Sequence, residues 1–162
     1  GEGEALIRSA NLSNVTYLGP VSDDDKWALL QLCGAFVFPS HLRSEAFGVA
    51  LLEAARAGKA MISCEIGTGT SYVNIDGDTG LVISPNDTPA LDRAMRRLAT
   101  DDAMRSAMGA RARRRYEDQF TAAVMGERYM ALYRDVTTEP ARNQLPETNS
   151  PLAAQNDGNA LS

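Results

Sequence analysis

The stretch SEAFGVALLEAARAGKAMISC, residues 44–64, decides the fold. Its spacing predicts a helix from about Phe47 to Ala57, with Gly58 as the left-handed residue that commonly ends one. AMISC, 60–64, follows at once as an apolar run of strand length, as expected for a buried strand. Upstream, AFVF at 35–38 is a second such run, bounded by Gly34 and Pro39, and reads as a central strand buried on both faces. Downstream, GTGT at 67–70 reads as a flexible turn, DGDTG at 76–80 as turn chemistry, and LVIS at 81–84 as a further strand. Strands alternating with helices imply crossovers and a parallel sheet covered by helices, the doubly wound α/β class.

The flanks extend this pattern. NVTYLG, 14–19, has the β-branched and aromatic residues of a short strand closed by glycine. Ser22 is positioned to cap a helix running to about Cys33, and the acids of DDDK suit its positive end. Thr88 followed by Pro89 reads as a cap and a helix-tolerant first residue, opening a helix to about Thr100. Helical patterns continue over 102–117 and 121–135. From Thr137 the composition turns to Thr, Pro, Asn, Gln, Ser and Ala, which predicts a disordered tail over 137–162 after an ordered domain over 1–136. The opening GEGEA reads as the inside of a loop, and the chain as a fragment whose domain is incomplete at its N-terminus.

Composition narrows the function. With 162 residues, 44% of them hydrophobic, one compact domain is expected. A formal charge of −5 argues against a nucleic-acid partner, whose phosphates call for a basic surface. Cys33 and Cys64 have no metal-ligand spacing and read as buried reduced thiols in a cytosolic setting. No run approaches the ~18 apolar residues of a membrane span, and no signal segment opens the chain. Eight arginines between 93 and 115 stand among scattered acids. They read as a solvated helix face, with contact to an anionic lipid surface as the other option.

Glu45 and Glu53 are the notable pair. With the helix starting near Phe47, Glu45 lies in the loop at its mouth and Glu53 inside it, roughly 7–8 Å along the axis from Gly48 at 1.5 Å per residue. That is too far for the two to share a proton, but it suits a long ligand. Free amides at 46–49 would favour an anion at the helix entrance, and Gly48 would let backbone approach it. A diphosphate there would have a carboxylate on each side for hydroxyl groups, which describes a nucleoside diphosphate sugar. The plainer account makes Glu45 an ordinary acid near a helix start and Glu53 with Arg56 an exposed ion pair. Spacing alone favours the plainer account.

The combination of Glu-x7-Glu, AGKAMIS and DGDTGLVIS resembles the donor-binding, C-terminal half of the retaining GT-B glycosyltransferases of the group 1 or family 4 type, and the resemblance covers about residues 1–135. It implies a Rossmann-like domain in which Glu45 contacts the donor sugar as the catalytic carboxylate. The backbone at Phe47, Gly48 and Val49 would surround sugar and diphosphate, and Glu53 would bind the ribose diol. YLGPVSDDDK, 17–26, resembles the segment that receives the base, with Val21, Asp23 and Lys26 on the pattern of relatives that use GDP-mannose. GEGEA resembles the family's glycine-acidic loop. EIGTGTSYVN resembles mannosyl- and rhamnosyltransferases of bacterial surface polysaccharide assembly, except that Tyr72 stands where many relatives carry Glu, which leaves the sugar open. His41 and Arg43, in the loop before Glu45, are candidates for the donor cleft.

The resemblance further implies a hexose, mannose or a related deoxyhexose, passed from a GDP-sugar to a glycan or polyprenyl-linked acceptor. It implies no cofactor and no metal, a separate N-terminal acceptor domain, and a cytoplasmic location with peripheral contact at the inner face of the membrane. This chain alone is expected to be inactive. A non-catalytic nucleotide-binding or interaction module and a GT-B nucleotide-sugar epimerase are the rival readings.

Overall fold

The computed structural model describes residues 2–138. Three strands, β1 (Ala35–Phe38), β2 (Ala60–Cys64) and β3 (Gly80–Ile83), form one parallel sheet in the order β1-β2-β3. Between and around them run α1 (Glu2–Ser9), α2 (Asp23–Leu32), α3 (Val49–Arg56), α4 (Thr70–Val73), α5 (Thr88–Thr100), α6 (Asp102–Gln119) and α7 (Ala122–Thr138).

The period of two along each strand divides the core into two layers. Met61 of β2 and Phe36 and Phe38 of β1 join Leu30 of α2, Leu51, Ala54 and Ala55 of α3, and Ala112 of α6. On the opposite face Ala60 and Ile62 of β2, Val37 of β1 and Leu81 of β3 join Ala94 and Leu98 of α5 and Met108 of α6. Helices therefore cover both faces, as the α/β reading predicts. The site depends on α3, and α3 is held tightly: Leu51 is fully buried, a burial worth about 1.5–3 kcal/mol. Gly109 of α6 lies so close to the carbonyl of Gly58 that a Cβ there would overlap it, which seats α6 against the turn from α3 into β2.

A buried polar network braces the far side of the sheet. Asn74 donates to Ser63 Oγ at 2.9 Å and to the Leu81 carbonyl at 3.3 Å, and its amide oxygen accepts from Thr79 Oγ1 at 3.0 Å. Thr70 Oγ1 donates to the Cys64 carbonyl at 3.3 Å. These bonds tie α4 and the following turn to β2 and β3.

Several expectations need correction. The central, fully buried strand is AMISC, while AFVF is the half-buried edge, because among the described residues only β2 pairs with it. NVTYLG forms no strand: Val15, Tyr17 and Leu18 are exposed, and no strand among the described residues runs beside them. GEGEA opens a helix, α1, rather than a loop. The helix of the Glu-x7-Glu stretch is shorter at both ends than Phe47–Ala57, since Gly48 has φ 80° and breaks the helical path. GTGT is not wholly a turn, because Thr70 begins α4. Asp87, not Thr88, caps α5, accepting from the Ala90 amide at 2.8 Å. Cys33 is half-exposed, while Cys64 is buried, and burial pushes both thiols up from their ordinary value.

The chain divides within α7 into a unit over Gly1–Met125 and a second over Gly126–Ser162. In the second unit the described residues continue α7 to Thr138, two residues into the predicted disordered tail. The rest of that tail, 139–162, lies outside the described residues.

Candidate functional site

The loops leaving the carboxyl ends of the strands carry the predicted site, the position where open parallel sheets gather ligand chemistry. From the end of β1 the chain turns through Pro39–Phe47 and enters α3 at Gly48. Here Glu45 folds over the helix start: its Oε1 accepts from the Gly48 amide at 2.9 Å. The expectation of free amides across 46–49 is thus corrected at Gly48, whose N–H is held by Glu45. Among the described residues no hydrogen bond engages the second carboxylate oxygen of Glu45 or the amides of Phe47 and Val49.

A second loop locks this one in place. The Gly69 amide donates to the Ala46 carbonyl at 2.9 Å. A Cβ on Gly69 would stand 2.5 Å from the Phe47 ring and 3.0 Å from that carbonyl, so only glycine permits the approach. The ring of Phe47 meets Phe120, at the end of α6, edge-on at 6.3 Å between centroids. Glu65 steadies the same loop, accepting from the Gly67 amide at 2.9 Å, and its bonds to Ser71 and to that amide hold its carboxyl below the usual range.

One turn further along α3 lies a charged cluster. Lys26 of α2 donates to Glu53 Oε1 at 2.8 Å and to Asp23 Oδ1 at 3.0 Å. Glu53 first, then Asp23, raises the lysine above its ordinary pKa. Asp23 and Lys26 form an exposed i,i+3 pair, but Lys26 also bridges 27 residues to Glu53, which a simple surface pair does not do. The plainer pairing of Glu53 with Arg56 gives way to another contact, since Arg56 lies 4.4 Å over the Trp27 ring. Below the cluster is an apolar cavity of about 310 Å³, lined by Lys26, Leu29, Phe36, Ala50 and Glu53 among others.

His41 does not join this group. It is exposed and borders a separate cavity of about 150 Å³ with Cys64, Ser84 and Asp87. Arg43 reaches across to the Gly67 carbonyl at 3.4 Å. Val21 and Val49 are exposed beside α2 and α3. No cluster of three or more His, Cys, Asp or Glu suited to a metal exists among the described residues. Gly69, Phe120 and the Asn74 network went unread in the sequence. The GTGT repeat was their signal, but it is too short to carry that meaning alone.

A parallel α/β sheet covered by helices, with a Glu-x7-Glu helix opening from the carboxyl end of a strand, defines the class: a Rossmann-like domain of the GT-B glycosyltransferase fold. The chain belongs to the family described as glycosyl transferases group 1, whose profile matches residues 2–115. It is 52% identical over 137 residues to O-antigen chain mannosyltransferase C of Escherichia coli, covering 82% of this chain and 37% of that protein. It is 56% identical over 118 residues to D-rhamnosyltransferase WbpZ of Pseudomonas aeruginosa, covering 73% of this chain and 31% of that protein. The chain thus spans about a third of the length of these relatives. Among solved structures, a sucrose-phosphate synthase from Thermosynechococcus elongatus superposes with a TM-score of 0.75 at 27% identity, over 84% of this chain and 34% of that one.

Proposed function

We propose that this chain is the donor-binding half of a retaining glycosyltransferase that passes mannose or a related deoxyhexose from a GDP-sugar to a growing glycan or lipid-linked acceptor. The observation that carries the reading is the union of Asp23, Lys26 and Glu53 one turn from the Glu45–Gly48 loop. A guanine edge offers donors to Asp23 and acceptors to Lys26, the ribose diol donates to Glu53, and the diphosphate meets the α3 amides. Glu45, fixed by the Gly48 amide, orients the sugar through its free oxygen. The names of the mannosyl- and rhamnosyltransferase relatives support the sugar class.

Expulsion of a nucleoside diphosphate needs positive charge on the leaving group. In this reading the charge comes from the stretch that opens the donor domain and the acceptor site from a separate N-terminal domain, so these 162 residues alone bind donor without transferring sugar. The complete enzyme works in the cytoplasm, at the inner face of the membrane. No helix among the described residues is long and apolar enough to cross a membrane.

The test is calorimetric titration of this chain with GDP and with UDP. GDP is expected to bind at least about tenfold tighter, since one hydrogen bond to a charged group is worth about 1.5–3 kcal/mol and about 1.4 kcal/mol is a factor of ten. Equal affinity for the two nucleotides, or no binding of either, overturns the reading.

A further inference from the structure

Two rings beside the Glu45 loop are open to solvent yet immobilised. Phe47 is 38% exposed and Tyr72 is 51% exposed. Both meet the ring of Phe120 edge-on, Phe47 at 6.3 Å and Tyr72 at 5.7 Å between centroids. The Arg115 guanidinium lies 5.2 Å from the Tyr72 ring and donates to the Tyr72 carbonyl at 2.6 Å. At the other end of the ring the Tyr72 hydroxyl donates to Gln119 Oε1 at 3.3 Å. The ring is thereby held by Arg115, Phe120 and Gln119, its hydroxyl already has a partner, and half of its surface stays open to solvent.

An aromatic surface of this kind next to a carboxylate has the two halves of a sugar site. The C–H groups of a pyranose pack on ring faces, and its hydroxyls donate to the carboxylate. Phe47 is two residues from Glu45, and Gly69 holds the Phe47 loop against the segment that leads into Tyr72. We infer that Phe47 and Tyr72 form a stacking wall for the pyranose ring of the donor, with Tyr72 the residue that decides which sugars are admitted. The inference rests on the donor-domain reading above and goes beyond it to specificity.

The consequence is chemical. An apolar wall discriminates weakly between a sugar and its deoxy counterpart, whereas a wall that hydrogen-bonds a hydroxyl rejects the analogue lacking it by orders of magnitude. Tyr72 therefore makes this domain tolerant at the position it faces, admitting both a hexose and the 6-deoxy form.

The test uses this chain with GDP, GDP-mannose and GDP-6-deoxymannose in calorimetric titrations. The two sugar nucleotides are expected to bind within about threefold of one another, and each about threefold to tenfold tighter than GDP, the scale of an aromatic contact. Tyr72→Leu fills the space without a ring and is expected to lose that gain for both sugars while GDP affinity stays within twofold. Tyr72→Phe is expected to keep the gain, which separates a ring contact from a folding defect. Tyr72→Glu is expected to favour GDP-mannose over the 6-deoxy form. Retention of the full gain in folded Tyr72→Leu overturns the wall alone, with GDP binding intact. Failure of GDP itself to bind the parent chain overturns the donor-domain reading, and the wall with it.

Discussion

Lys26 Nζ lies 2.8 Å from Glu53 Oε1, joining the first turn of α2 to the middle of α3 across 27 residues of sequence. Neither residue is deeply buried, so the pair contributes little to stability as a surface ion pair. Its value is positional, because it holds a carboxylate and an ammonium at the rim of one cavity.

Loss of Glu53 should therefore be read in ligand affinity. Glu53→Ala is expected to weaken GDP binding about tenfold, the cost of leaving buried ligand hydroxyls unpaired. It should leave the melting temperature nearly unchanged. The raised pKa of Lys26 gives a second signature. Its charged form is favoured by folding, so the contribution is complete below its ordinary value of 10.5 and fades as pH rises through the higher folded value. The small stability difference between the parent chain and Lys26→Met should be flat from neutral pH to about 9 and shrink above about 10.5. Denaturant titrations at a series of pH values measure it.

Gly69 carries the second prediction. A methyl group there meets the Phe47 ring and the Ala46 carbonyl, and backbone has little room to yield. Gly69→Ala is expected to cost about 1–3 kcal/mol, the usual range for overpacking. The ring resonances of Phe47 and Phe120 should shift with it. At Gly34 the same methyl finds only the flexible Arg105 side chain at ordinary contact distance, so Gly34→Ala should stay within about 0.5 kcal/mol. Equal effects at the two glycines would contradict the latch.

The sheet and helices were legible because burial writes itself into sequence. AMISC is apolar but for Ser63 and is the strand with both faces covered, and Ser22 before three acids is an N-cap whose side chain accepts from the Asp25 amide. NVTYLG was misread because strand propensity needs a neighbour, and a β-rich segment with no strand beside it stays unpaired. Glu45 and Glu53 stood out only through their interval. Their partners could not be read, since the bond from Glu45 to the Gly48 amide depends on a left-handed turn and the bond from Glu53 to Lys26 on packing of α2 against α3. The latch at Gly69 and the aromatic contacts through Phe120 join segments 22 to 73 residues apart, beyond the reach of local pattern.

The buried polar network offers a stability test. Asn74→Ala removes the partner of buried Ser63, the side-chain donor to the Leu81 carbonyl, and the 3.0 Å acceptor of buried Thr79, which keeps its bonds to Ile75. Buried groups left unsatisfied cost about 1–3 kcal/mol each, so a loss of about 2–4 kcal/mol is expected from urea unfolding. Asn74→Asp places a carboxylate against the Leu81 carbonyl at a fully buried position, and at neutral pH should cost at least as much as Asn74→Ala.

Glu65 provides the acid counterpart to Lys26. Ser71 and the Gly67 amide both donate to its carboxylate, which lowers its pKa in the folded chain. A depressed carboxyl adds stability that is complete above its unfolded value and is lost as pH falls through the lower folded one. The parent chain and Glu65→Gln should therefore differ at neutral pH and converge below about pH 4, near the ordinary glutamate range. Because Glu65 steadies the loop that carries Gly69, the acid transition should also move the ring resonances of Phe47. Those resonances, followed by NMR through the same pH range, should titrate in the parent chain and stay fixed in Glu65→Gln. A Phe47 shift of equal size in both chains would disconnect Glu65 from the donor loop.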